Sequence, residues 1–350
     1  MRILFLPKYH KEGPSSRYRT HNYIKYFKNA GYEITIKPLF HDGYVSNLYK
    51  KKSKNYIKIL TDILNRVKYL LLYKAKYDVL IIEKELFPYF PYFIERMLLV
   101  GSRYTLDFDD AISTRYKVNF IKRILLGNKI NKLSRSAILT TVGNKWYWQE
   151  ITQGKLKYLP TVVDMEKYSI QNIRKRINDI PIIVWIGSPS TVKYLYTVQQ
   201  VLIELSKEFN FKLRVIGSVI DIKGVNIECL QWFEDKEFEY LYSSDIGIMP
   251  LEDTLWERGK CGFKCIQYMA SFLPVVASSS PANEEIIIHG ETGFIAKDHE
   301  DWYEYLKTLL EDKDMRIRLG SKGRDRIEKN YSYQVWGKRY VKFVENAIID

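Results

Sequence analysis

Residues 259–278 read GKCGFKCIQYMASFLPVVAS, and the turn GETGF follows at 290–294. The first part predicts a helix with lysines at its entrance, and 273–278 predicts a short buried strand. Free N–H groups and the positive end of the helix dipole meet at a helix N-terminus, which favours an anion such as a phosphate. Strand ends beside helix N-termini are where open α/β sheets bind ligands, so the stretch predicts an α/β domain with an anion site.

The two lysines of this stretch, Lys260 and Lys264, are four residues apart, a spacing that predicts one shared helical face. Two ammonium groups that close are comfortable mainly when an anion lies between them. The alternative is a helix whose lysines are only solvated and whose apolar residues, such as Cys261, Ile266 and Met269, belong to the core.

The same residues resemble the C-terminal signature of the retaining, GT-B-type nucleotide-sugar glycosyltransferases of glycosyltransferase family 4 (glycosyl transferases group 1). The similarity is carried by GFK at 262–264, YMA at 268–270, PVVAS at 274–278, NEEI at 283–286 and TGF at 292–294. It implies two Rossmann-like, doubly wound domains facing a cleft, with a C-terminal helix crossing back to the first domain. It also implies that Lys264 and Lys260 stabilise the leaving diphosphate in place of a metal ion, so that no cofactor is expected.

Two positions depart from the family pattern, which usually has two glutamates seven residues apart. Gly259 stands at the first position and Gln267 at the second. Gln267 is expected to bond a ribose hydroxyl, although an amide lacks the charge-assisted, two-oxygen grip of a carboxylate. No residue is therefore assigned to the donor-sugar contact that the first glutamate makes in the family. Glu257 is near in sequence, but it lies two residues before the family position.

Length and hydrophobic patterning predict two α/β domains. The chain has 350 residues, more than one core normally serves, and 46% of them are hydrophobic. Buried runs alternate with helical periodicity, as in a parallel sheet with helices between its strands. We predict an acceptor domain at 1–165, a donor domain at 166–330 joined by a linker near 171–179, and a returning helix at 331–350.

Two further segments of the second domain are expected to bind the donor. Gly187, Ser188, Ser190 and Thr191 end a predicted strand and open a helix predicted from Val192 to Lys207, which suits a diphosphate cradle. The alternative is that Ser190 or Thr191 only caps that helix. Ala282 and Asn283 begin another helix, and similar family segments meet the donor sugar or phosphate there.

The first domain carries two candidate acceptor segments. Gly13, Arg17 and Arg19 resemble a glycine loop and arginine pair of the same family branch, and two arginines can bind a phosphate of a lipid-linked acceptor. The alternative is that both arginines are solvated positions on an N-terminal helix turn. Asp109 and Asp110, in the string DFDDA at 107–111, are expected to bind an acceptor or donor hydroxyl. The alternative is that these strand-end carboxylates only cap the loop to Thr114. A competing interpretation is a metal-dependent, GT-A-like transferase that holds a divalent ion through Asp107 and Asp109.

Charge is unevenly divided between the two halves. Residues 1–165 carry 30 Lys and Arg against 13 Asp and Glu, whereas 166–350 carry 25 against 28. Aromatic residues accompany these basic groups, as in YKKK at 49–52 and FPYFPYF at 87–93, and the combination suits an anionic membrane surface. No recognised RNA-binding motif accompanies the charge, so nucleic acid is not expected as a partner.

Three cysteines, which cannot form a paired disulfide framework, predict a cytoplasmic protein, and the lack of a roughly 20-residue apolar run predicts that it does not span a bilayer. The basic, aromatic first half then predicts a peripheral position on the inner face of the membrane. The sequence thus predicts transfer of a sugar from a UDP- or GDP-sugar to a glycan or lipid-linked acceptor in bacterial surface polysaccharide assembly. The alternative from another class is a degenerate transferase fold that serves as a basic membrane- or nucleic-acid-binding module.

Overall fold

The computed structural model describes residues 1–49, 55–169 and 178–349, and these fall into two compact units. The first contains Met1–Thr161, Gly259–Cys261 and the chain from Trp336 onward; the second contains Val162–Arg258 and Gly262–Val335. Most of the linker predicted near 171–179 lies outside the described residues. The predicted domain borders were 165 and 330, and the assignment of 259–261 to the first unit was not foreseen.

The first unit is built on a parallel sheet in the order β2-β1-β3-β4-β5-β6. Its strands are β1 (Arg2–Leu6), β2 (Glu33–Ile36), β3 (Val79–Glu83), β4 (Tyr104–Phe108), β5 (Leu139–Val142) and β6 (Leu156–Tyr158). Its helices are α1 (Pro14–Arg19), α2 (Ile24–Asn29), α3 (Tyr44–Tyr49), α4 (Tyr56–Tyr73), α5 (Tyr92–Leu99), α6 (Ile112–Tyr116), α7 (Phe120–Leu126), α8 (Lys129–Ser136) and α9 (Tyr147–Glu150). Short 3-10 helices cover His21–Tyr23 and Lys74–Lys76.

The second unit repeats this plan around a parallel sheet in the order β12-β11-β10-β7-β8-β9. Its strands are β7 (Ile182–Ile186), β8 (Lys212–Ile216), β9 (Ile227–Leu230), β10 (Ile246–Met249), β11 (Val275–Ser278) and β12 (Gly293–Ala296). Its helices are α10 (Gln199–Glu208), α11 (Glu237–Tyr242), α12 (Leu255–Arg258), α13 (Phe263–Ala270), α14 (Pro281–Ile286), α15 (His299–Glu311) and α16 (Lys313–Asn330), with a 3-10 helix at Val192–Val198. Helix α17 (Tyr333–Ile349) begins here and continues in the first unit from Trp336.

Continuous apolar runs explain the central strands. β3, β4 and β7 are buried along their whole length, as expected of parallel strands covered by helices on both faces. Within the first unit α17 covers α2: the Tyr340 ring lies edge-on to Tyr23 and Phe27, with ring centroids 5.0 and 5.4 Å apart. The predicted doubly wound α/β fold class is confirmed.

Helical periodicity in the sequence predicts one helix from Arg17 to Lys28, one from Phe120 to Lys132 and one from Val192 to Lys207, and the structure interrupts all three. The helix predicted from Arg17 to Lys28 breaks at Thr20, whose backbone leaves the helical region. The helix predicted from Phe120 to Lys132 divides at 127–128, where glycine weakens helix propensity. The helix predicted from Val192 to Lys207 starts as a 3-10 helix, because β-branched and aromatic residues fill its first turns and Thr197 Oγ1 donates to the Tyr194 carbonyl at 2.7 Å.

Candidate functional site

In the second unit, Lys264 lies beside the loop that follows strand β7. Its ammonium is 5.7 Å from the ring centroid of Trp185, a cation–π distance, and the side chain is half-buried. The same indole fills the space next to Gly187, where a Cβ would lie 2.4 Å from the ring. Trp185 therefore brings together two of the predicted donor-binding features, Lys264 and the 187–191 loop, at the carboxyl end of β7.

The loop itself has an internal polar network. Thr191 Oγ1 donates to the Ser188 carbonyl at 3.0 Å, and the hydroxyls of Ser188 and Ser190 are 2.8 Å apart. No side chain caps the following 3-10 helix, so the capping alternative for Thr191 is wrong. Lys193 is exposed and pairs with Glu252 at 3.2 Å, as expected of a solvated position.

The prediction that Lys260 and Lys264 share one helical face is wrong. Helix α13 begins only at Phe263, and Gly262 before it is left-handed, with φ 61°. Gly262 fits there because a Cβ would lie 2.4 Å from Ile286 Cδ1. Lys260 belongs to the first unit, where its carbonyl accepts from Asn144 Nδ2 at 2.8 Å.

Gln267 is buried rather than presented to a ligand. Its side-chain amide donates to Glu237 Oε1 at 2.7 Å, and it is only 4% exposed. The same carboxylate accepts from the hydroxyl of Tyr168 at 3.0 Å and from the indole of Trp232 at 2.8 Å. In this structure Gln267 therefore belongs to a buried network, and its role towards a ribose stays a prediction.

Ala282 and Asn283 are buried on α14. Asn283 Nδ2 donates to the Ser278 carbonyl at 2.8 Å, and its backbone N–H donates to Ser280 Oγ at 3.4 Å. The side chain of Ser280 thus caps this helix. The structure gives Asn283 a structural role, and donor binding through this segment stays a prediction.

Gly259 explains why a family glutamate is missing. A Cβ added at Gly259 would lie 2.3 Å from Ala111 Cβ and 3.1 Å from Trp146 Cζ3. All three residues belong to the first unit, and a larger residue at 259 would have to displace these neighbours. Glu257, its sequence neighbour, is buried and accepts from the hydroxyls of Tyr194 and Thr254. This carboxylate is held by the second unit's own side chains.

In the first unit, the start of α1 and the carboxyl ends of β3 and β4 bring together a largely buried charge cluster, which we define as Ser15, Ser16, Glu83, Lys84, Asp109 and Asp110. Lys84 Nζ lies 2.7 Å from Asp109 and 2.8 Å from Asp110. Its backbone has φ 63°, which for a non-glycine residue costs roughly 1–3 kcal/mol and recurs at functional sites. The two aspartates predicted to bind an acceptor thus share one buried ammonium.

Glu83 completes the charge cluster. Its Oε2 accepts from Ser16 Oγ at 2.6 Å and from the Lys8 backbone N–H at 3.2 Å, whereas its Oε1 is buried without a hydrogen-bond partner. Burial raises the pKa of Glu83 to about 7, an effect that Lys84 opposes and Asp109 reinforces. Burial also opposes ionisation of Asp109, but the positive charges of Lys84 and Arg19, together with hydrogen bonds from Lys84 and Ser15, lower the pKa of that carboxyl.

We expect Glu83 to make the stability of the protein depend on pH. A folded-state pKa near 7, above the ordinary 4.5, favours the fold at low pH, and this contribution is lost as the pH rises from about 4.5 through 7. The variant Glu83→Gln does not suffer this loss. As the pH rises from about 4.5 to 7, its free energy of unfolding should therefore rise relative to that of the parent by on the order of 2–3 kcal/mol. Urea unfolding at a series of pH values measures the difference, with Glu12→Gln, which changes an exposed carboxylate in the segment between β1 and α1, as control. Parallel profiles for parent and Glu83→Gln would refute the assignment.

Gly13 and the two arginines of the predicted acceptor segment are buried. Gly13 packs against Tyr9. A Cβ added at Gly13 would lie 2.5 Å from the Cβ of Tyr9, so a larger residue would collide with it. Arg19 donates to both oxygens of Asp107, at 2.5 and 2.8 Å, and to the Leu159 carbonyl at 2.6 Å. Although burial opposes its charge, Asp107 raises the pKa of Arg19 well above its ordinary value. Arg17 is 5% exposed and lies over the Tyr18 ring at 4.9 Å, so the two do not form an exposed pair.

Asp107 does not offer its carboxylate in the way the metal-dependent interpretation requires. One oxygen also accepts from Thr141 Oγ1 at 2.5 Å, in addition to the two bonds from Arg19. Across residues 1–49, 55–169 and 178–349, no group of three or more His, Cys, Asp or Glu side chains is arranged to hold a metal ion.

Sequence reasoning missed Glu83 and Lys84. The available signal was the charged string EKE at 83–85, directly after the apolar run of β3. Charged residues at the carboxyl end of a buried parallel strand lie where such sheets bind ligands.

In the described part of the chain, no helix is both long enough and apolar enough to span a membrane.

Comparisons with known proteins agree with this architecture. Residues 180–312 match the family model Glycosyl transferases group 1. The capsular polysaccharide biosynthesis glycosyltransferase CapM of Staphylococcus aureus is 25% identical over 194 residues, 49% of this chain and 50% of that protein. A GDP-Man:Man(3)GlcNAc(2)-PP-Dol alpha-1,2-mannosyltransferase of Dictyostelium discoideum is 25% identical over 158 residues, 40% of this chain and 30% of that protein. The matches thus span half or less of these relatives.

Solved structures resemble the chain over nearly its whole length. Sucrose-phosphate synthase of Thermosynechococcus elongatus superposes with a TM-score of 0.71 at 12% identity, covering 99% of this chain and 98% of that one. HepE of Anabaena, in complex with UDP and glucose, gives 0.71 at 13% identity, covering 99% and 100%. At such identities the likeness shows the fold. Residues 180–312, in the second unit, thus match the glycosyl transferases group 1, and the chain as a whole has the two-sheet α/β architecture of the GT-B glycosyltransferase structures.

Proposed function

We propose that the chain transfers a sugar from a nucleotide-sugar donor, such as a UDP- or GDP-sugar, to a glycan or lipid-linked acceptor with retention of configuration. The donor binds the second unit, and the acceptor binds the first. The setting is bacterial surface polysaccharide assembly in the cytoplasm, at an anionic membrane surface. No metal cofactor and no nucleic acid take part.

The observation that carries this proposal is the position of Lys264. Its half-buried ammonium lies over Trp185, next to Gly187 and the hydroxyl-bearing loop at the carboxyl end of β7. When the bond between the sugar and the diphosphate breaks, negative charge develops on the leaving oxygen. A preorganised cation at that point stabilises the transition state more than it stabilises the bound donor.

Two relatives support the choice of substrates. HepE of Anabaena was crystallised with UDP and glucose and with UDP-glucose, which favours a nucleotide-sugar donor here. CapM is named for capsular polysaccharide biosynthesis, and the Dictyostelium relative is named for an acceptor glycan linked to a lipid through a diphosphate. Both names favour a glycan or lipid-linked acceptor here. On the acceptor side, the charge cluster of the first unit offers both carboxylates and an ammonium to sugar hydroxyls.

The decisive experiment is a screen of the purified full chain against a panel of nucleotide sugars, with mass detection of released nucleotide. We expect release from one donor class, undiminished by a chelator. Loss of turnover on chelation would support the metal-dependent interpretation. Absence of release from every donor, combined with retained nucleotide binding, would contradict the proposal and favour a degenerate binding module.

A further inference from the structure

One layer of helices in the first unit exposes an unusual amount of apolar surface. The crossovers from β2 to β3, from β3 to β4 and from β4 to β5 all run in the same direction along the sheet. Because such crossovers are right-handed, their helices α4, α5, α7 and α8 cover the same face. Contacts between α4 and α5, between α5 and α8, and between α7 and α8 make this layer continuous.

Large apolar side chains point outward from this layer. On α4, the residues Ile57, Leu60 and Leu64 are each more than half exposed and recur at helical spacing; on α5 and α7, the residues Met97, Ile121 and Ile124 are also more than half exposed. In the second unit, large apolar residues exposed to this degree stand singly on separate segments, as is usual for a protein surface. Several large apolar residues exposed on one layer of helices indicate an interaction site.

The charges of the same layer have one sign. The exposed charged residues of the four helices are all basic: Lys58, Lys68, Arg96, Arg123, Lys132 and Arg135. The two acids of these helices, Asp62 and Glu95, are not exposed: Asp62 binds His41 at 2.6 Å, and Glu95 pairs with Lys129 at 2.7 Å. Outward aliphatic groups flanked by bases match the interface of an anionic bilayer, where each base contributes about 1 kcal/mol.

We propose that the outer face of α4, α5, α7 and α8 is the surface with which the protein docks on an anionic lipid bilayer. A second copy of the chain is a poorer occupant, because a two-fold contact would place the same six bases opposite themselves. Nucleic acid would leave the exposed aliphatic residues without a partner. The inference deepens the proposed membrane association by naming its surface, and it does not depend on the transfer reaction.

The test measures flotation of the full chain with vesicles, without any donor, so its outcome is independent of turnover. Vesicles of phosphatidylglycerol mixed with phosphatidylcholine should bind the parent, and pure phosphatidylcholine should bind it far more weakly. The double variant Ile121→Ser/Ile124→Ser should lose about 10-fold in affinity or more, because its side chains no longer enter the apolar boundary. The double variant Lys58→Glu/Lys68→Glu should lose a similar factor, and added salt should weaken the parent in the same way.

The matched control is Val219→Ser/Ile317→Ser, which removes two exposed apolar residues from the second unit. It should bind vesicles like the parent. Unchanged binding in both α4 and α7 variants, or an equal loss in the control, would overturn the proposal. So would a parent that self-associates in sedimentation velocity and becomes monomeric on Ile121→Ser/Ile124→Ser, because the face would then join two copies. Unaltered thermal unfolding of each variant assigns any loss of binding to the surface.

Discussion

Replacing Lys264 by alanine is expected to lower turnover of the donor by about 100-fold or more, the usual effect of removing one preorganised group that stabilises transition-state charge. The ammonium has a fixed place above Trp185 at the end of β7, so the variant loses charge where the diphosphate is proposed to leave. Stability should change by about 1 kcal/mol or less, because the side chain is only half-buried and its cation–π contact is worth roughly that amount. Release of nucleotide from the donor identified by the panel provides the measurement.

Lys193→Ala is the matched control for this experiment. Lys193 lies near the same loop, is exposed and pairs with Glu252, so its loss should leave turnover within about two-fold of the parent. Lys264→Arg keeps the charge and should recover part of the lost activity. Equal turnover in Lys264→Ala and the parent would refute the role of this lysine, and an equal loss in Lys193→Ala would show that the effect is not specific to it.

Replacing Asp107 by alanine is expected to destabilise the first unit by about 3–5 kcal/mol, because the variant leaves the guanidinium of Arg19 buried without its counter-charge. Arg19 is 1% exposed and Asp107 is 3% exposed, so water cannot replace the lost carboxylate. Urea unfolding measures the loss. Arg19→Met/Asp107→Leu removes both charges and should be less destabilised than Asp107→Ala.

The chain contains a matched surface pair for comparison. Arg258 also binds both oxygens of an aspartate, Asp253, at 2.7 and 2.8 Å, but both side chains are largely exposed. Asp253→Ala should therefore destabilise the protein far less than Asp107→Ala, because water screens the exposed pair. If Asp107→Ala were no more destabilised than Asp253→Ala, Arg19 would not act as a buried structural ion, and its predicted role in acceptor binding would regain support.

Much of the fold could be predicted from hydrophobic patterning. The apolar run 273–278, for example, contains β11 (Val275–Ser278), because uninterrupted apolar runs mark strands covered on both faces. The edge strand Ile227–Leu230 escaped prediction, since it is only partly buried and contains Glu228 and Cys229. β12 was hidden because its first residue, Gly293, stood in what was predicted to be a turn.

The candidate site was predicted less completely. The positions of Lys264 and the 187–191 loop followed from strand ends and helix starts, which are local features of the sequence. Gln267 and Asn283 lie in the same motif, yet their side chains turn to internal partners. A motif gives the type of residue at a position, but tertiary packing decides which face of its helix meets solvent. The left-handed Gly262 and the pairing of Lys84 with two aspartates likewise depend on contacts distant in sequence.

The way the chain is shared between its two compact units has a practical consequence for protein engineering. The backbone passes from one unit to the other after Thr161, Arg258, Cys261 and Val335. A chimera made by one recombination point would therefore combine one parent's Tyr23 and Phe27 with the other parent's counterpart of Tyr340. To exchange the first unit between relatives, Gly259–Cys261 and the chain from Trp336 onward must be transferred together with Met1–Thr161.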